Sequence, residues 1–174
     1  MWCSSGDFGG WSRDDCAVIS TYMTPEEEFT HTLSRHLDGI RSEFERELRE
    51  VLASTFPPGT AFLVIEYDSP HFDEDFGVGL WAMDKTGNYM GNGDGYWFLE
   101  RKATAVPPAL YQDERFEDFN PWAMASHIVE DWVVDSWARV GSRQFPAYIG
   151  HHDSHFIRDL TTGFQTAWSQ IARR

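Results

Sequence analysis

A long amphipathic helix is the sequence feature that most constrains the fold of this chain. Thr24 and Pro25 supply an N-cap hydroxyl and a proline at the first helical position, and Glu27 completes a capping box. Apolar residues then recur at steps of three and four until Pro57-Pro58-Gly59 ends the helix. These apolar residues are Phe29, Leu33, Leu37, Ile40, Phe44, Leu48 and Val51. The stripe must be buried against a second layer of structure. Gly39 marks a position at which the helix can bend or split.

Three short segments rich in strand-forming residues follow this helix, at 61–67, 77–83 and 96–99. Their connections are acidic or rich in glycine, which favours turns. Consecutive strands joined in this way are typical of an antiparallel sheet, so we predict three antiparallel strands. The second connection, 84–95, is long enough to hold a short additional hairpin.

A second helix is predicted to begin at Asn120 and to end near Val140. Asn120 is a suitable N-cap residue, Pro121 takes the first helical position, and Gly141 stands where a left-handed cap residue is expected. Its apolar face is formed by Trp122, Ala125, Ile128, Val129, Trp132, Val133, Trp137 and Val140. A face this broad indicates that much of the helix is buried.

The C-terminal residues predict two short strands, at 146–150 and 155–160, and a terminal helix over 164–171. The order of elements then predicts an α+β fold, with a mainly antiparallel sheet of about five strands packed against two long helices, plus a short C-terminal helix. Residues 24–174 form this single domain. Residues 1–23 are aperiodic and contain several glycines, which favours a flexible or loosely docked leader.

The chain is strongly acidic, with 28 acidic and 14 basic residues and a formal net charge of -14 at pH 7. This charge repels phosphate backbones and anionic membrane surfaces, so direct nucleic-acid binding and membrane binding are disfavoured. The same charge attracts basic proteins. Solubility alone is the simpler explanation of the charge.

The N-terminal residues show no sign of export. Residues 1–7 lack the basic and apolar regions of a signal peptide, and no apolar run of about eighteen residues follows, so we expect a cytoplasmic protein. Cys3 and Cys16 are the two cysteines of the chain. Their spacing fits neither a disulfide framework nor a four-cysteine zinc site. We expect two free thiols, with a local disulfide as the alternative.

The segment 151–155 contains the residues best suited to bind a transition metal. Imidazole and carboxylate groups are good zinc ligands, and on a strand His151, Asp153 and His155 would share one face. A tight turn would change this geometry, and aspartate and serine are common in turns for backbone reasons alone. These three residues are candidate metal ligands, although the sequence predicts no cofactor.

Two further segments carry groups suited to chemistry. Glu66 and Asp68 at the end of a strand, with Asp84-Lys85 after the next one, resemble the spaced carboxylates and lysine of metal-dependent nucleases. A net charge of -14 fits poorly with an enzyme that must hold nucleic acid. The glycine-rich segment 87–95 lacks the lysine of a phosphate-binding loop and the first acid of a calcium loop, so turn chemistry explains it.

The C-terminal third contains Glu130-Asp131-Trp132, Trp137, Phe145-Pro146-Ala147-Tyr148, His151-His152-Asp153 and the segment 159–163. In these residues the chain resembles bacterial immunity proteins of polymorphic-toxin systems. The resemblance implies a cytoplasmic antidote that blocks the active site of a secreted toxin, often through acidic surface residues. It implies a role for no particular residue.

The acidic charge, without a catalytic signature to compete with it, predicts a binding protein rather than an enzyme. We expect an inhibitor that neutralises a basic protein partner, with a toxin enzyme as the partner that the resemblance implies. The candidate partner-binding residues are Asp73, Glu74, Asp75, Asp113, Glu114, Glu117 and Asp118. Two alternatives stay open: a small metal-dependent hydrolase that uses the region of His151 and His155, and an acidic nucleic-acid mimic that blocks a host defence protein.

Overall fold

The first helix, α1, spans Pro25–Leu52 and confirms the strongest prediction from the sequence. The computed structural model describes residues 23–67, 76–91, 95–101, 106–116, 118–141 and 144–171. The capping box is formed: Glu27 N donates to the Thr24 hydroxyl oxygen at 3.2 Å, and Thr24 N donates to Glu27 Oε2 at 2.8 Å. The helix continues through Gly39 as one element.

Strands of the described residues form one six-stranded sheet. They are β1 (Phe62–Tyr67), β2 (Val78–Met83), β3 (Tyr96–Trp97), β4 (Ala147–His151), β5 (Phe156–Asp159) and β6 (Gln165–Ala167). The order across the sheet is β3-β2-β1-β4-β5-β6. Neighbouring strands are antiparallel except β1 and β4, which are parallel. The predicted antiparallel set of three strands is confirmed, and its parallel pairing with β4 was not foreseen.

The third strand is shorter than predicted, because a side chain of α1 captures the backbone that would continue it. After Trp97 the chain enters a 3₁₀ helix, Phe98–Arg101. Leu99 adopts a φ of 56°, an uncommon value for a residue with a side chain. Its N–H donates to Glu47 Oε2 at 2.8 Å. Both residues are buried, so this bond satisfies a carboxylate and an amide that have left water.

The connection between β2 and β3 begins with a turn built around one carboxylate. Asp84 accepts hydrogen bonds from the Thr86 hydroxyl at 2.7 Å and from Asn88 N at 2.9 Å. These bonds, the one from the Thr86 hydroxyl first, lower the pKa of Asp84 to about 2. Beyond this turn, Tyr89 forms an isolated antiparallel bridge with Met83, which is a minimal form of the additional hairpin.

The second long helix, α3, spans Pro121–Val140, as predicted. A one-turn helix, α2 (Pro108–Tyr111), precedes it. The prediction of a left-handed cap at Gly141 is wrong, since its φ is -62° and its ψ is 150°. Glycine is required there by close packing, because a Cβ would lie 2.5 Å from the side chain and the carbonyl oxygen of Trp137.

The C-terminal helix predicted over 164–171 is wrong in its first half. Gln165–Ala167 forms β6, which pairs with β5, and the helix α4 is limited to Trp168–Ile171. A tight turn directs the chain back into the sheet: Asp159 Oδ1 accepts from Thr161 N and Thr162 N at 2.8 Å, and Gly163 has a φ of 74°. Pairing with β5 therefore overrides a weak helical pattern.

The two long helices cover one face of the sheet and form the larger core with it. The buried residues of this core include Phe29, Phe44, Ile65, Leu80, Trp132 and Ile149. The opposite face carries a smaller cluster that includes Phe62, Val64, Tyr148 and Ile171, the last from α4. Among the described helices, none is long and apolar enough to cross a membrane.

The N-terminal half of α1 is covered by a segment whose structure was not predicted. A 3₁₀ helix, Glu114–Phe116, lies against it. The ring of Phe29 contacts the rings of Phe116 and Phe119 edge-on, at centroid distances of 5.3 and 5.5 Å. This aromatic contact fixes residues 113–116, 118 and 119 beside the first turns of α1.

Replacing Glu47 by alanine is expected to lower the free energy of unfolding by about 2 kcal/mol, because the buried N–H of Leu99 loses its acceptor. Urea unfolding followed by tryptophan fluorescence measures this change. Glu43 is exposed on the same helix and provides the matched control, with an expected change below about 0.5 kcal/mol for Glu43→Ala. Equal losses in the two variants would show that the Glu47 carboxylate does not hold the 3₁₀ helix.

Candidate functional site

The N termini of the two long helices and the carboxyl ends of the parallel strands are directed to the same side of the domain. α1 and α3 run parallel, since Thr30 contacts Met124 and Arg41 contacts Ser136. At the ends of β1 and β4, Tyr67 pairs with His151. The carboxyl edge of parallel strands and the N termini of helices are places where many proteins bind ligands. This end is therefore where functional side chains are best sought.

Carboxylates from two separate segments meet at this end. We call this group of residues the acidic end. Its members are Glu26, Glu27, Glu28, Asp113, Glu114 and Asp118. Arg115 joins the two segments: its Nη1 lies 2.7 Å from Glu28 Oε1, and its Nη2 lies 2.6 Å from Asp113 Oδ2. Among the described residues, this guanidinium thus pairs with two of the six carboxylates. The acidic end consequently carries a large excess of negative charge.

Part of this charge has a structural role. Asp113 accepts hydrogen bonds from the Arg115 side chain and, at 3.0 Å, from its backbone N–H. The bonds from the Arg115 side chain, followed by the backbone bond, hold the pKa of Asp113 below its ordinary value. Glu27 belongs to the capping box, and Glu28 pairs with Arg115.

The other three carboxylates have no such role. Glu26, Glu114 and Asp118 are exposed, and among the described residues they form no hydrogen bond or ion pair. Acidic groups near helix N termini are favoured by the helix dipole, which explains why the fold tolerates them. Their charged oxygens remain available to a partner.

The carboxylates in the C-terminal half of α1 are more fully paired than those of the acidic end, because arginines alternate with them. Arg46 lies within 4 Å of Glu43, Glu47 and Glu50. Glu45 pairs with Arg49 of the same helix and with Arg139 of α3, at 3.3 Å in each case. The excess charge is therefore less concentrated there than at the acidic end.

The predicted partner-binding residues fall into two groups. Asp113, Glu114 and Asp118 are brought together with the first turn of α1. Asp73, Glu74, Asp75 and Glu117 lie outside the described residues, as do Cys3 and Cys16. Sequence analysis gave Glu27 a role in helix capping alone and did not identify Glu26 or Glu28, because nothing local indicates that residues almost ninety positions later pack beside them.

The histidine segment forms a tight turn between β4 and β5. The ligand atoms of His151, His152 and Asp153 all lie within 4.8 Å of one another. His152 Nε2 is 3.1 Å from Asp153 Oδ2, and Asp153 N donates to His151 Nδ1 at 3.2 Å. His155, which strand geometry would have placed with them, does not belong to this cluster. The cluster thus contains two predicted candidates together with His152, and it does not contain His155.

Tyr67 connects the histidine turn to α3. Its hydroxyl donates to Glu130 Oε1 at 2.7 Å, and its ring contacts His151 edge-on at 5.6 Å and stacks on Phe76 at the same distance. Burial, followed by the bond to Glu130, raises the pKa of Tyr67. The phenol therefore stays protonated at physiological pH and serves to position its neighbours.

Comparisons with protein-family models, with curated proteins and with solved structures found no significant match for this chain. Its function must therefore be inferred from the surfaces described above.

Replacing Arg115 by alanine is expected to raise the pKa of Asp113 toward the ordinary value of an aspartate, because the donors that favour the carboxylate are removed. A carboxyl whose folded pKa is lowered stabilises the fold above its ordinary pKa and loses this contribution as the pH falls through the lowered value. A ¹³C NMR titration of the Asp113 carboxyl measures the shift. An unchanged pKa in Arg115→Ala would contradict the role given to this arginine.

Proposed function

We propose that this chain is a binding protein that neutralises a basic protein partner, and that the partner docks on the acidic end. The observation that carries the proposal is that Glu26, Glu114 and Asp118 form no hydrogen bond or ion pair within the described part of the chain, while Glu28 and Asp113 share one arginine. Gathering like charges is unfavourable in the isolated protein. A basic partner would relieve this repulsion on binding.

Charge and apolar contacts have different roles in the proposed binding. The negative potential of the acidic end raises the rate of encounter with a basic surface and disfavours acidic competitors. Affinity depends more on apolar anchors that become buried. Met23 precedes the cap of α1 and is 49% exposed, so an anchor of this kind lies next to the carboxylates.

The resemblance to immunity proteins leads us to propose a toxin enzyme as the partner. Such an antidote would cover the substrate-binding surface of the toxin with its own carboxylates. A toxin that acts on nucleic acid offers a suitable target, because its active site must attract phosphates and is therefore basic. The same acidic end would repel nucleic acid itself.

The acidic end is expected to bind a cationic probe more tightly than other acidic parts of the surface. The probe is a fluorescent octa-arginine peptide, and its affinity is measured by anisotropy at low salt. Glu26→Gln with Glu114→Gln should weaken binding about fivefold, if each exposed charge pair contributes about 0.5 kcal/mol. Glu43→Gln with Glu50→Gln removes the same net charge from the middle and C-terminal part of α1 and should change the affinity less. Equal effects would mean that the probe responds to net charge alone.

The partner itself is to be recovered from the native source with the tagged full chain. We expect a basic enzyme that is retained by wild type and by the Glu43/Glu50 control, lost from the Glu26/Glu114 variant, and inhibited by the purified chain. Co-expression should also protect cells from its toxicity. Recovery of a nucleic-acid-binding defence protein would favour the mimic instead, and a partner retained equally by both double variants would contradict docking on the acidic end.

A further inference from the structure

We propose that His151, His152 and Asp153 form a binding site for Zn²⁺ at the turn between β4 and β5. Two imidazoles and one carboxylate, each from a different residue, have ligand atoms within 4.8 Å of one another. None of the three belongs to the acidic end. The proposal therefore stands independently of the docking function.

The distances match the requirements of zinc. Tetrahedral zinc binds nitrogen and oxygen at about 2.0–2.2 Å, which places neighbouring ligand atoms about 3.3–3.5 Å apart. His152 Nε2 and Asp153 Oδ2 already lie 3.1 Å apart. The third ligand atom lies within 4.8 Å of the other two, so zinc binding brings it closer by at most about 1.5 Å. The turn is thus close to a metal-binding geometry before any ion arrives.

His151 is restrained by its surroundings. Its Nδ1 accepts a hydrogen bond from Asp153 N at 3.2 Å, and zinc bound through this nitrogen would replace that bond. The ring is half-buried, and its contact with Tyr67 restrains it. His151 also belongs to β4, which pairs with β1 and β5 inside the sheet. One ligand is consequently fixed by the sheet, while the other two are exposed and can adjust.

The ligand set favours zinc over the abundant hard cations. Ca²⁺ and Mg²⁺ prefer sites made entirely of oxygen, whereas imidazole suits zinc and its neighbours. Three protein ligands also leave a fourth position open, as in zinc sites that bind water or a fourth group from another molecule. Residues 151–153 thus provide an open zinc site at the surface.

The test is a calorimetric titration of the full chain with Zn²⁺. Every protein in the titration carries Cys3→Ser and Cys16→Ser, so that the cysteine thiols cannot bind the zinc. We expect one zinc ion per chain and no heat with Mg²⁺. Removing outer-shell groups typically weakens metal binding about 10- to 100-fold, so losing a direct ligand in His152→Ala or Asp153→Asn should weaken it by at least about tenfold. His155→Ala, which removes an exposed histidine of the same turn, should leave the affinity unchanged.

A second measurement identifies the ligands even if one variant is unstable. In NMR spectra of the histidine side chains, Zn²⁺ should shift the ring signals of His151 and His152 and leave those of His155 in place. His152 and Asp153 are exposed, and circular dichroism verifies that their variants remain folded. The proposal is overturned if no zinc binds at millimolar concentration, if the affinity survives both substitutions, or if the ring signals of His151 and His152 do not respond.

Discussion

Burial of the apolar stripe on α1 is the constraint on which the rest of the structure depends. With 28 residues the helix is about 42 Å long, whereas the six residues of β1 span about 20 Å. The sheet can therefore cover only part of the stripe. Its C-terminal part lies near the sheet, where Val51 and Leu80 line the same groove. The N-terminal part extends beyond the sheet, and Phe116 and Phe119 cover Phe29 there.

The acidic end follows from this geometry. Covering the N-terminal part of α1 brings residues 113–116, 118 and 119 against a helix start that is itself acidic. Arg115 makes the arrangement possible, because it binds Glu28 and Asp113 at once and offsets part of their repulsion. Glu26, Glu114 and Asp118 are not bound by this arginine. The helix dipole explains why the fold tolerates acidic groups there, and the proposed basic partner would bind them.

The histidine turn lies where a second functional element would be expected. α3 runs away from its N terminus and β4 returns toward that end, so His151 stands at the carboxyl edge of the parallel pair. Tyr67 then ties His151 to Glu130 of α3. The zinc proposal and the docking proposal concern different residues, but both depend on the helices and the parallel strands directing their ends to one side of the domain.

The sequence predicted those elements that carry a local signal. Capping residues and apolar periodicity placed both long helices, since Thr24, Asn120 and the two prolines that follow them act within one turn. Long-range contacts were not accessible in this way. The parallel pairing of β1 with β4, the capture of Leu99 by Glu47 and the meeting of Glu28 with Arg115 all join distant residues. The candidate site was therefore predicted only in part. Asp113, Glu114 and Asp118 were identified, but the glutamates in the first turn of α1 were not.

Carbodiimide cross-linking between the chain and its recovered partner tests the central claim most directly, since the reagent joins carboxylates to lysines that lie within contact distance. Our account predicts that mass spectrometry will find the cross-links on Glu26, Glu114 and Asp118. Cross-links concentrated on Glu43 and Glu50, with the acidic end unmodified, would contradict it.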